Sequence, residues 1–204
     1  TSAGTYVVTG SASGMGASVA AALRADGHTV IGVDQRDADV VADLSTPEGR
    51  RRAADEVLAR SGGQLDGAVL AAGMGPAAGT GRMIVEVNVF GVTELLTAWR
   101  PALAAGAKAK VVVFGSNSTT VTPLVPKSAI RRLLDGDPEG AVQVIRRRRG
   151  VTGPVAYASS KIAVTQWCRL HGGDEWAGEG IRVNVLAPGP VMTPLLQSQL
   201  ERKS

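Results

Sequence analysis

Apolar positions in this chain come in short blocks. Tyr6–Val8, Thr29–Asp34, Asp66–Ala71, Lys110–Phe114 and Ile181–Leu186 are runs rich in β-branched and aliphatic residues, separated by longer stretches of alanine, leucine and charge. Each run is apolar on both faces, which predicts strands of a parallel sheet covered on both sides. The stretches between them read as helices. Ser18–Arg24 is closed by Gly27 at a C-cap position. Residues 48–60 follow Thr46-Pro47, a good N-cap and first-turn proline, and stop at Gly62-Gly63. Ile84–Ala105 is a long helical stretch interrupted near Arg100-Pro101. Strands alternating with helices define the α/β class and a doubly wound sheet.

The first strand runs into Thr9-Gly10-Ser11-Ala12-Ser13-Gly14-Met15-Gly16. Gly10 lets the chain reverse, Gly14 lets the backbone approach a pyrophosphate, and Gly16 lets the new helix pack on the sheet. The orphan N–H groups and positive dipole end of that helix then face the phosphates. This is the Rossmann-type arrangement, expected as a single domain over residues 1–204. Asp34 ends the second strand 18 places after Gly16, close to the spacing of an acid that holds a ribose 2′-hydroxyl. A carboxylate there repels a 2′-phosphate and favours NAD(H). Arg36, just past the strand, is the residue type that binds that phosphate, so NADP(H) stays open as the second choice.

Composition narrows the class. The chain has 204 residues, is 44% hydrophobic and carries a formal charge of +4. That length is enough for one domain with a real core, and the charge surplus does not call for nucleic acid. One cysteine, Cys168, allows no internal disulfide and fits a reducing cytoplasm. No apolar run is long enough to span a bilayer. Two histidines and one cysteine argue against a zinc site, so no metal is expected.

The second chemically loaded stretch is Tyr157-Ala-Ser-Ser-Lys161, opening a helix. A spacing of four puts phenol and amine on one face, one turn apart. A free phenol titrates at about 10, too high for acid–base work at neutral pH, and a neighbouring ammonium favours the phenolate.

With these stretches together, the chain resembles the short-chain dehydrogenase/reductase family over essentially its whole length. The residues carrying the resemblance are Thr9–Gly16, Asp43-Leu44, Asn88-Val-Phe-Gly91, Ser116, Tyr157, Lys161 and Arg182–Thr193. Within the family, Arg36–Thr46, the short Gly73–Asn88 link and Thr193–Leu196 are similar to the bacterial 3α-hydroxysteroid dehydrogenase/carbonyl reductases. The resemblance implies hydride transfer between NAD(H) and a secondary alcohol or ketone, including hydroxysteroids and other lipophilic carbonyls. It implies that Tyr157 passes the proton, that Lys161 tunes Tyr157 and holds the nicotinamide ribose, and that Ser116 polarises the carbonyl. Asn88 would anchor a water between Lys161 and solvent. Gly10, Ser13, Gly14, Met15, Gly16, Asp34, Asp43, Leu44, Ala72, Gly73, Tyr157 and Lys161 would bind the dinucleotide, with Pro188, Gly189, Val191 and Thr193 closing over the nicotinamide. A homodimer or homotetramer is implied, with no nucleic-acid or membrane partner.

Three departures stand out. Leu70-Ala71 replaces the two asparagines usual before the alanine–glycine pair. About 40 residues separate Ser116 from Tyr157, an insertion at about 117–156 expected to form an unusual dimer contact or a rim over the substrate cleft. Its Arg146–Arg149 run reads as a solvated helix end, with an anionic substrate or acidic partner as the rival. The helical lid and last strand that the resemblance implies after Thr193 are not found before Ser204; an apolar lid face is expected from Met192, Leu195 and Leu196. Two other functions fit the same motifs: an NADPH-dependent 3-oxoacyl or polyketide-type ketoreductase, and a dinucleotide sensor without catalysis. A basic residue just before Gly14 would favour the ketoreductase, and Ser13 stands there.

Overall fold

A computed structural model of the protein describes residues 3–77, 80–106, 108–117, 119, 125–148, 150–193 and 197. Arg149, Leu195 and Leu196 lie outside the described residues. Six strands form one parallel sheet: β1 (Thr5–Thr9), β2 (Thr29–Asp34), β3 (Val40–Val41), β4 (Gly67–Leu70), β5 (Lys110–Phe114) and β6 (Arg182–Leu186). Their order is β3-β2-β1-β4-β5-β6, every pair parallel. The chain winds outward from β1 in one direction and then returns beside it as β4. Strand order therefore reverses between β1 and β4, where this sheet type leaves a crevice at the carboxyl ends of its strands.

Helices α1 (Gly14–Ala25) and α2 (Pro47–Ser61) follow β1 and the β3 edge, and α3 (Gly81–Val85) and α4 (Gly91–Ala105) lie between β4 and β5. The ends of α2 fall where local chemistry puts them. The Thr46 side chain accepts from the Gly49 N–H at 3.0 Å, Pro47 fills the first turn, and Gly62 closes the helix at φ +62°. One core lies on the α2/α4 face of the sheet, with Val7, Leu70, Leu95, Trp99 and Val111 buried together. A smaller cluster of Val8, Ala20, Val30 and Val69 sits under α1.

Two expectations need correction. Helix α1 starts at Gly14, four residues before Ser18, because the glycine turn itself is its first turn. The 84–105 stretch does not break at Pro101, which lies inside α4. Leu95, Leu96, Trp99, Ala102 and Leu103 are all buried there, and this packing holds the helix together around the missing N–H. The change of register falls earlier. Helix α3 (Gly81–Val85) passes into a π-helical turn, Glu86–Phe90, whose five residues are all buried. The two-residue β3 was not expected; it pairs Val40 with Val33 and Val41 with Asp34.

Between Ser116 and Tyr157 the chain forms α5 (Lys127–Leu134) and α6 (Pro138–Arg146), packed on α3 and on α7 (Thr152–His171). Ile130, Leu133, Val142 and Ile145 join Ile84, Phe90 and Val155 in a third core cluster. Arg146, Arg147 and Arg148 are exposed at the end of α6. A short α8 (Asp174–Gly178) leads into β6. Among the described residues no helix is long and apolar enough to cross a membrane.

Candidate active site

The site grows from the glycine turn. Gly10 sits at φ +70°, and a Cβ there would lie 2.8 Å from the Ala72 nitrogen, so β1 and the β4 exit loop close on bare backbone. A Cβ at Gly16 would fall 2.1 Å from the Gly10 carbonyl oxygen, which locks α1 against the strand end. Gly14, at φ +56°, meets little but the Thr193 methyl across the opening. Ser13 makes no side-chain cap on α1, so the first N–H groups of this helix face the crevice without it. The turn is also tied down: the Asp34 carboxylate accepts from the Ala12 N–H at 3.0 Å and the Gln35 N–H at 2.7 Å.

Two adjoining clefts open here. The first is lined by Gly10, Ser13, Gly14, Met15, Gly16, Asp34, Leu44, Ala72 and Gly73. Asp43 lies outside it. Its exposed carboxylate accepts from the Ser45 N–H and from Gln35. Partial burial pushes its pKa up, but these hydrogen bonds outweigh that and hold it below the usual carboxylate range. The second cleft is lined by Ser116, Tyr157, Lys161, Pro188, Gly189 and Val191. Met15, Gly73, Met74 and Thr193 line both, so the clefts share one wall. The insertion helices α5 and α6 line neither.

Lys161 is buried, and its Nζ donates to the Phe114 carbonyl at 2.7 Å. Burial pushes its ammonium down from 10.5 to about 8. The same bond pins the end of β5, two residues before Ser116. Asn88 is fully buried in the π-turn and lines neither cleft. Its amide clamps Met74, accepting from the Met74 N–H at 2.8 Å and donating to the Met74 carbonyl at 3.0 Å. It also donates to Ser160 Oγ at 3.1 Å, and Ser160 donates to the Tyr157 carbonyl at 2.7 Å. A Cβ at Gly73 would sit 3.3 Å from Asn88 Oδ1 and 3.6 Å from Lys161 Nζ, so both lie beneath the shared wall.

Sequence reasoning missed Val33, Gln35, Met74, Val87, Asn117 and Pro154 as lining residues. Val33, Gln35, Met74, Val87 and Asn117 each adjoin a residue that was singled out, so proximity in sequence was the available signal. Pro154 had none.

Glycine cradle, uncapped helix end and strand-end carboxylate fit a dinucleotide; the adjoining phenol, buried amine and hydroxyl fit proton transfer beside it. This is the layout of a dinucleotide-dependent oxidoreductase. Comparison with known proteins agrees. Residues 141–204 match the family model for short chain dehydrogenases. The chain is 40% identical over 196 residues to the 3-alpha-hydroxysteroid dehydrogenase/carbonyl reductase of Comamonas testosteroni, covering 96% of this chain and 76% of that one. It is 31% identical to a coniferyl-alcohol dehydrogenase of Pseudomonas, covering 93% and 74%. The crystal structure of the 3-alpha-hydroxysteroid dehydrogenase from Pseudomonas sp. B-0831, complexed with NADH, superposes with a TM-score of 0.89 at 45% identity, covering 95% of this chain and 75% of that one. The chain belongs to the short-chain dehydrogenase/reductase family. It is an oxidoreductase of the alcohol/carbonyl class that works with a nicotinamide cofactor.

Proposed function

We propose that the protein prefers NAD(H) and interconverts lipophilic secondary alcohols and ketones of the hydroxysteroid type. The observation that carries the reading is the shared wall: the cleft with Ser116, Tyr157 and Lys161 opens directly onto the glycine cradle. The dinucleotide, when bound, supplies or takes the hydride. Gly10, Gly14, Gly16 and the start of α1 would hold its phosphates, and Pro188, Gly189, Val191 and Thr193 its nicotinamide side. Tyr157 holds the proton at the substrate oxygen and passes it on. Ser116 donates to that oxygen, stabilising negative charge where it develops. Lys161, a cation below pH about 8, stands one helical turn from Tyr157 and would hold the nicotinamide ribose. Asn88 fixes the wall on which these groups converge.

Among the described residues, Lys161 is the one charged side chain lining the second cleft; Pro76, Phe114, Pro154, Pro190 and Val191 supply apolar surface. That suits a lipophilic ketone better than an anionic one, in keeping with the hydroxysteroid relatives. Asp34 lines the first cleft while Arg36 lines neither, which supports NAD over NADP. Homo-oligomers in the cytoplasm are the expected working form.

Steady-state assays with both cofactors, on wild type and Asp34→Asn, test the cofactor choice. Wild type should favour NAD by at least about tenfold in kcat/KM, the equivalent of about 1.4 kcal/mol. Asp34→Asn, which keeps an acceptor for the loop but drops the charge, should lose most of that preference. A wild type that favours NADP contradicts the reading.

A further inference from the structure

Arg50 plays no part in the mechanism, yet its guanidinium is 4% exposed and fully engaged. Nη1 donates to the Leu44 carbonyl at 3.1 Å and to Glu86 Oε2 at 2.9 Å. Nε and Nη2 fork onto Glu94 at 2.6 and 3.1 Å. The other Glu86 oxygen accepts from Arg82 Nε at 2.6 Å, and Arg82 in turn pairs with Glu139 of α6. The guanidinium also lies 5.8 Å from the centre of the Phe90 ring.

What these contacts join is informative. Leu44 and Val87, the latter next to Glu86, both line the first cleft. Asn88 follows and clamps Met74, a residue of both clefts. A buried ion pair gains little stability over an apolar pair of the same volume. Its forked, planar geometry does fix distance and angle between the groups it bridges. We infer that Arg50 and Glu86 form a positioning pair, setting the separation of the Leu44 and Val87 walls and so the fit of the cofactor's adenosine half. The inference rests on the dinucleotide assignment above.

The test is calorimetric titration of ADP-ribose, which is the dinucleotide without its nicotinamide ring, with NADH kinetics alongside. In Arg50→Met, Glu86 keeps Arg82 and Glu94 stays half in solvent, so the remaining charges are not stranded. ADP-ribose affinity should fall, and KM for NADH rise, by at least about tenfold, since a displacement on the ångström scale costs up to about a hundredfold. The kcat at saturating NADH should hold. The isosteric Glu86→Gln should give the same split, more weakly, and serves if Arg50→Met folds poorly. Unchanged ADP-ribose affinity in folded Arg50→Met overturns the inference. So does a fall in kcat at constant KM, the mark of a merely structural role. Failure of the wild type to bind ADP-ribose or NADH instead removes the dinucleotide assignment itself.

Discussion

Lys161 concentrates the chemistry of the site into one titration. Its folded pKa of about 8 lies below the ordinary value of 10.5 because burial penalises the ammonium. Below pH 8 both folded and unfolded chains carry the proton, and the folded state bears the whole cost of burying it. Between pH 8 and 10.5 the folded chain has released that proton while the unfolded chain retains it. Stability therefore rises with pH across this window, by about 3 kcal/mol in total, and is flat on either side of it. Lys161→Met should lack the rise. Urea midpoints of both proteins at pH 7.5 and pH 10 check this, and parallel behaviour would contradict it. At this scale the sequence was a good guide to residue types and a poor one to their partners. The four-residue spacing marked Tyr157 and Lys161, but the carbonyl that Lys161 holds belongs to Phe114, 47 residues away. The clamp of Asn88 on Met74 depended on a π-turn that no residue pattern announces.

Element boundaries followed local chemistry wherever that chemistry was strong. Thr46, Pro47 and Gly62 bound α2, and β2 and β5 span the expected residues. Pro101 misled because burial of the surrounding face outweighs one lost hydrogen bond. The glycine turn allows a sharp test. In Gly16→Ala the new methyl would fall 2.1 Å from the Gly10 carbonyl oxygen, which is backbone and must move. Overpacking of this kind costs about 1–3 kcal/mol, and more where backbone is the obstacle. Urea unfolding should register a loss of about 3 kcal/mol, together with weakened NADH binding. A wild-type midpoint would mean that α1 does not pack on β1 as described.

For the whole molecule, alternation of strands and helices was enough to give the doubly wound sheet and the crevice at its switch point. It did not reveal that α5 and α6 would build a hydrophobic cluster jointly with α3 and α7. Short apolar runs such as Ile130-Arg-Arg-Leu-Leu134 carry no mark of what they will face until α3 and α7 are in place. Leu133 is 2% exposed in that cluster. Leu133→Ala should cost about 2–5 kcal/mol, as deletion from a well-packed core does. Calorimetric melting would detect it, and a loss below about 1 kcal/mol would make the insertion a loosely attached annex.

We propose that the wall shared by the two clefts brings the Tyr157 phenol to a substrate held beside the dinucleotide. Turnover of a lipophilic secondary alcohol with NAD, wild type beside Tyr157→Phe, measures it directly. In Tyr157→Phe, kcat should fall by about a hundredfold or more, the usual worth of a positioned proton donor, while NADH affinity is kept. Undiminished turnover in Tyr157→Phe would contradict it.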